Sequence, residues 1–192
     1  MIVHKKIKDS LVEKIAKLAK TWKVGDPLDP QNRLGAMIEK PHLEKVLGYI
    51  EAGKAQGAKL ALGGRRILEK TGGYFVEATI FDNVSNRMKI AREEIFGPVL
   101  SVITFSTEEE AVAMANDTNY GLAASLYTRD LNRAHRVARA IRAGTVSVNC
   151  FSEGDITTPF GGFKESGFAG RDKSIWAHEQ YTELKTIWMQ LA

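Results

Sequence analysis

Apolar residues return along this chain first with a helical period and later with a strand-like one, and the switches mark its elements. Ile7, Leu11, Val12, Ile15 and Leu18 share one helical face, predicting an amphipathic helix over residues 7–21. Pro27 and Pro30, with Gly25 and the aspartates beside them, then resist helix and predict a loop over 25–30. Leu43, Val46, Leu47 and Ile50 recur at i, i+3, i+4 and i+7, so a second helix is expected to start near Pro41. Paired glycines at 63–64 and 72–73 bracket an excursion that ends in a strand-like run over 74–80.

Residues 98–149 carry the clearest architectural pattern. Residues 99–105 read as a buried strand, and Ser106 with Glu109 predicts a capping box for the helix carrying Ala111, Val112, Met114 and Ala115. Gly121 closes that unit before a strand over 122–127. Asp130 is the expected cap of a helix with the stripe Leu131, Ala134, Ala138 and Ile141, ended by Gly144, and a third strand follows over 145–149. Such strand–helix alternation predicts an α/β fold with a parallel sheet. Ligands gather beyond the carboxyl ends of such strands, which is where the loop 150–170 falls. Residues 181–189 read as a strand exposed at an edge, and such a strand needs a partner.

Composition narrows the class. At 192 residues, with 44% apolar and 26% charged positions, the chain suits a globular domain with a real core. No run is apolar enough to span a bilayer, the first residues lack a signal-peptide layout, and the expected location is cytoplasmic. The formal charge of +4 is uneven: residues 1–23 hold seven lysines and two acids, +5, and the remainder sums to −1. Because those lysines alternate with the apolar stripe, they read as a solvated helix face, and no aromatic stacking pattern accompanies them, so no nucleic-acid partner is expected. Arg133, Arg136, Arg139 and Arg142 recur at i, i+3, as an exposed face or a phosphate-binding one. The lone cysteine, Cys150, ends a strand with no histidine near it in sequence and reads as structural. His4, His42, His135 and His178 show no metal-ligand spacing, and no metal is expected.

Two blocks carry candidate chemistry. In Glu93-Glu94-Ile95-Phe96-Gly97-Pro98-Val99, a carboxylate can accept hydrogen bonds from a diol and a ring can cover a flat heterocycle. The plainer reading is a surface acid followed by a core phenylalanine. In Pro159-Phe160-Gly161-Gly162-Phe163-Lys164-Glu165-Ser166-Gly167, the paired glycines let backbones approach closely, while Lys164 and Ser166 look like loop-stabilising residues. Phe160 is either a binding-site wall or a core aromatic beneath the glycines. The loop 151–155 adds Phe151, Glu153 and Asp155, and its acids would favour a cationic ligand.

The two blocks, in this order and separation, resemble the C-terminal part of the aldehyde dehydrogenase superfamily, and the resemblance runs essentially from end to end. It implies a truncated αβα catalytic domain over 1–180 and an oligomerisation strand over 181–192 that pairs across a subunit boundary in a homo-oligomer. It implies NAD or NADP as cofactor, with Glu94 holding the nicotinamide ribose and Phe96 packing beside it, and Glu93 in support. Phe160, and more weakly Phe151, would line the aldehyde tunnel, with Asp155 close to the substrate entrance. The pattern 154–160, with Gly170-Arg171-Asp172-Lys173-Ser174 and the closing segment, resembles the aminoaldehyde subgroup, whose members oxidise γ-glutamyl-γ-aminobutyraldehyde and related aldehydes. The stretch 166–171 is one residue longer than the family's commoner Ser-Gly-x-Gly-Arg. In this family a cysteine thiolate attacks the aldehyde, hydride passes to NAD(P), and a glutamate-activated water releases the acid. Cysteine, glutamate and dinucleotide-binding domain all precede the part matched here, so no catalytic residue is assigned and the isolated chain is expected to be inactive. The alternative is a non-catalytic oligomerisation or interaction module.

Overall fold

The computed structural model describes residues 1–151, 154–168 and 170–191. They fall into two compact units, Met1–Ala111 and Val112–Ala192.

In the first unit, β7 (Thr79–Asp82) lies at the centre of a three-stranded sheet, antiparallel to β4 (Lys59–Leu62) and parallel to β8 (Val99–Ser101). The predicted single strand over 99–105 is two, because its partner changes. Val102 donates to Phe81, and from Ile103 the chain pairs instead, as β9 (Ile103–Phe105), with β1 (Ile2–His4) in parallel. The run predicted over 74–80 divides for the same reason. β6 (Phe75–Val76) pairs antiparallel with β5 (Arg66–Ile67), and β7 begins only at Thr79. β2 (Lys23–Val24) and β3 (Asn32–Leu34) flank the expected loop as a short parallel pair. Antiparallel ladders thus accompany the expected parallel ones in an α/β fold.

Helix α1 (Lys8–Ala19) covers one face of this sheet. Val12 joins Val3, Ile80 and Val102 in a core cluster, with Leu11, Ile15 and Ala16 packed against it. That is the middle of the predicted stripe; its ends, Ile7 and Leu18, are exposed. The lysines of α1 are not all solvated. Lys8 Nζ lies 2.7 Å from Asp82 Oδ2 and 2.6 Å from Asp9, with the Lys8 and Asp82 side chains only 14% and 8% exposed. The bond to Asp82, then that to Asp9, raises the Lys8 pKa above the usual lysine range. Asp82→Ala leaves Lys8 able to reach Asp9 and solvent, so its expected cost is about 2 kcal/mol. Lys8→Met removes the cation from a buried carboxylate, leaving it the Asn83 amide at 2.7 Å, and should cost more, about 3 kcal/mol. Thermal melts of the two variants check the order.

Helix α2 (Lys40–Ala55) starts with Pro41 in its first turn and buries Leu43, Val46, Tyr49, Ile50 and Gly53. Gly53 serves close packing: an added Cβ would sit 3.0 Å from Ile90 and 3.1 Å from Phe81. The short α3 (Lys89–Arg92) leads into the Glu93–Val99 run. Helix α4 (Glu108–Asn116), within which the two units divide, is capped one residue later than predicted. Thr107 Oγ1 accepts from Glu110 N at 3.2 Å, and Glu110 Oε2 accepts from Ser106 N at 2.7 Å.

The second unit is built on β10 (Ala123–Leu126) and β11 (Thr145–Val148), parallel, with α5 (Leu131–Ala140) as their crossover. Asp130 Oδ1 accepts from Arg133 N at 3.0 Å, as predicted. Of the expected stripe, Ala134 is buried but Leu131 is 72% exposed. Residues 175–181 form a 3-10 helix, and 182–191 form no ladder among the described residues. The strand expected over 181–189 is thus unpaired here; strand geometry is stabilised only by a hydrogen-bonded neighbour. Leu184, Ile187, Trp188 and Met189 are all exposed. Among the described residues no helix is long and apolar enough to cross a membrane.

Candidate functional site

The run Glu93–Val99 is held by a buried residue in its middle. Ile95 is 7% exposed, while its neighbours Glu94 and Phe96 face solvent, Phe96 at 75% exposure. Phe96 is therefore not the core phenylalanine of the plainer reading. Its backbone is left-handed, φ 56°, a conformation that costs a non-glycine residue roughly 1–2 kcal/mol. Glu94 makes no hydrogen bond or ion pair among the described residues, which leaves its carboxylate open as an acceptor.

One face of α2 grips this run at three points. Tyr49 donates its hydroxyl to Glu93 Oε2 at 2.8 Å, with Lys89 3.9 Å from the same oxygen. Val46 packs so tightly on Gly97 that an added Cβ there would lie 2.8 Å from its methyl. His42 Nε2 is 2.7 Å from the Phe96 carbonyl oxygen, and its ring meets the Phe96 ring edge-on, centroids 6.3 Å apart. Positions 42, 46 and 49 follow i, i+4, i+7, which puts them on one stripe. A carbonyl acceptor requires His42 to donate, and a neutral bond of that kind contributes about 1 kcal/mol net, comparable to the strain at Phe96. His42 and Tyr49 went unassigned in the sequence, although their spacing is helical.

The second block lies in the second unit. Phe151 is exposed and Phe160 is 38% exposed, with Lys173 Nζ 5.3 Å from the Phe160 ring centroid. Phe160 and Asp172 exchange backbone hydrogen bonds of 2.8 and 2.7 Å, pinning the loop's two arms together. Asp155 is engaged within its own turn: Thr157 donates its hydroxyl at 2.6 Å and its amide at 2.7 Å to Oδ1. Those bonds hold the Asp155 carboxyl below the usual range. Glu153 lies outside the described residues, as does Ala169 in the lengthened 166–171 stretch. Lys164 donates to the carbonyls of Asn116 and Thr118 at 2.8 and 2.9 Å, and Ser166 Oγ accepts from Gly121 N at 3.0 Å. Both residues brace the loop. The close approach expected of the glycines is present: a Cβ on Gly162 would lie 2.4 Å from Ser166 O.

Three carboxylates share a pH signature. Asp130 is held low by the Arg133 amide, Asp9 by Lys8, and Asp155 by Thr157. A depressed folded pKa adds stability above the unfolded value, about 3.9, and that stability is lost as pH falls through the folded value. Lys8 has the opposite sign: its contribution is complete below about 10.4 and is lost as pH rises through its raised folded value. With respect to these groups, the melting temperature should be flat between about pH 5 and 9 and fall below about pH 4. Asp130→Asn should flatten part of the acid limb in a series of melts.

The profile of the aldehyde dehydrogenase family matches residues 1–187. The chain belongs to the aldehyde dehydrogenase family. It is 54% identical over 189 residues to the aminoacetaldehyde dehydrogenase of Pseudomonas aeruginosa, covering 98% of this chain and 37% of that enzyme. A solved mutant of the P. syringae indole-3-acetaldehyde dehydrogenase, in complex with NAD+ and IAA, superposes with a TM-score of 0.95 at 54% identity. The match covers 99% of this chain and 38% of that one. The γ-glutamyl-γ-aminobutyraldehyde dehydrogenase of Burkholderia cenocepacia J2315 gives a TM-score of 0.91 at 55% identity, over 96% of this chain and 37% of its own. This aldehyde dehydrogenase chain therefore has the fold of a part of these enzymes and spans well under half their length.

Within that family framework, Cys150 is a half-buried free thiol whose carbonyl accepts from the Tyr127 hydroxyl at 3.2 Å. Among the described residues, no group of three or more His, Cys, Asp or Glu is arranged to hold a metal ion.

Proposed function

We propose that these 192 residues form the C-terminal part of an NAD(P)-dependent aldehyde dehydrogenase acting on aminoaldehydes, in which Glu94 and Phe96 supply one wall of the nicotinamide-ribose site. The observation that carries this reading is the pairing of an open carboxylate with a solvent-facing ring held in a left-handed turn. That pairing fits a ribose diol beside a flat heterocycle: Glu94 would accept the hydroxyl protons, and Phe96 would cover an apolar face. Bound NAD(P)+ would supply the hydride acceptor. The residues of this chain bind and orient; the nucleophile, the general base and the other dinucleotide wall have no counterpart among them.

Phe160 and Phe151 would line the aldehyde path, and Asp155, whose Oδ1 is held by Thr157, would favour a cationic substrate through its charge. The names of the P. aeruginosa and B. cenocepacia relatives support an aminoaldehyde. The exposed apolar segment 182–191 supports the reading of a strand that pairs with another subunit. Light scattering after size-exclusion chromatography should give an oligomer, and a clean monomer would count against that pairing.

The test is a hybrid in which these residues replace the matched 37% of the P. aeruginosa enzyme. NAD+-dependent oxidation of aminoacetaldehyde, preferred over an uncharged aldehyde of similar size, is the expected outcome, with Asp155→Asn narrowing the preference. A folded hybrid that oxidises no aldehyde would overturn the proposal.

A further inference from the structure

Building on the nicotinamide-ribose reading of Glu94 and Phe96, we propose that His42 is a positioning residue whose Nε2–H bond to the Phe96 carbonyl fixes the turn that presents both groups. The bond is 2.7 Å long, and the residue it reaches is the strained one, Phe96 at φ 56°. Reversing φ from left-handed to extended redirects the flanking peptide planes, so a donor fixed on this carbonyl oxygen selects one backbone well over the other. The other two grips of α2 act beside it: Tyr49 holds the Glu93 carboxylate, and Val46 holds Gly97 by contact. His42 bonds to the backbone of Phe96 itself. Its edge-on contact with the Phe96 ring places the same side chain against both ends of the residue it holds.

The neutral Nε2–H tautomer and the imidazolium both supply this donor, so the device does not depend on the charge of His42. It depends on a donor at that reach. The terminal amide of glutamine has a comparable reach, whereas alanine has neither donor nor ring. His42→Ala should release the turn, and His42→Gln should restore it.

Two measurements test this. In the 192-residue chain, NMR should show a His42 Nε2-bound proton protected from exchange, and Phe96 backbone shifts that move towards extended values in His42→Ala but not in His42→Gln. In the hybrid dehydrogenase, His42→Ala should raise KM for NAD+ about tenfold and lower kcat, with the aldehyde KM changed less than about twofold. His42→Gln should return KM for NAD+ to within about threefold of the parent. Equal loss in both variants, or no change in His42→Ala, would overturn the role. An inactive parent hybrid would instead count against the ribose reading, and the NMR result then decides the His42 contact by itself. An exchanging His42 proton with unmoved Phe96 shifts would refute it there.

Discussion

Glu94→Gln in the hybrid dehydrogenase is expected to lower kcat/KM for NAD+ by about 100-fold, while leaving thermal stability within about 0.5 kcal/mol. A carboxylate can accept both hydroxyls of a diol, whereas an amide presents one acceptor and one donor in the same space. Charge-assisted hydrogen bonds contribute about 1.5–3 kcal/mol each, and a 100-fold loss corresponds to about 2.7 kcal/mol. Stability should hold because Glu94 is exposed and engages nothing among the described residues. The adjacent Glu93→Gln is the control with the opposite signature: it weakens the Tyr49 bond and the Lys89 pair, so it should cost stability more than cofactor binding. Steady-state kinetics beside thermal melts separate the two. A change under threefold for Glu94→Gln would remove the ribose contact from consideration.

Gly144→Ala should destabilise the second unit by about 3 kcal/mol, the upper end of the usual cost of overpacking. An ideal Cβ at this position lies 1.7 Å from the Gly161 carbonyl oxygen and 2.7 Å from its carbon. Neither atom belongs to a flexible side chain that could swing aside, so backbone must move. The displaced segment holds Phe160 and the Lys164–Ser166 turn, which bonds to Gly121 and to the end of α4. For a chain of this size the melting temperature should fall by roughly 6–12 °C. Gly48→Ala sets the contrast. It lies inside α2 with nothing within 4 Å of its would-be Cβ, so helix propensity decides and stability should rise by about 0.5–1 kcal/mol.

Features written in local sequence were legible. The stripe of α1, the Pro41 start of α2, the Asp130 cap and the parallel pairing around α5 all follow from residues within a few turns of one another. What depends on distant partners was not. The division of 99–105 at Val102 exists because β7 lies on one side and β1 on the other, and nothing in the run itself marks that change. Lys8 read as one more solvated lysine because Asp82, 74 positions away, is what buries it. Ser106 and Thr107 can each cap a helix, and the two glutamates at 109 and 110 made the register ambiguous by one. The run 181–189 has strand composition, but composition supplies no partner.

The candidate site divides the same way. Glu94 and Phe96 stood out by residue type within a recognisable run. The left-handed turn at Phe96 and its support by His42 did not, since the two residues are 54 positions apart and the apolar stripe of α2 runs through Leu43, Val46, Leu47 and Ile50. The stripe 42, 46, 49 lies beside it and overlaps it at Val46, so the helix packs the core with one face and holds the 93–97 run with the adjoining one.

The central proposal is that this chain supplies one wall of a dehydrogenase site and by itself oxidises no aldehyde. NADH formation from NAD+ and aminoacetaldehyde, measured for the purified 192-residue chain beside the hybrid enzyme, tests it most directly. Turnover by the hybrid and none by the chain alone is the expected result. Sustained NADH formation by the purified chain would contradict it.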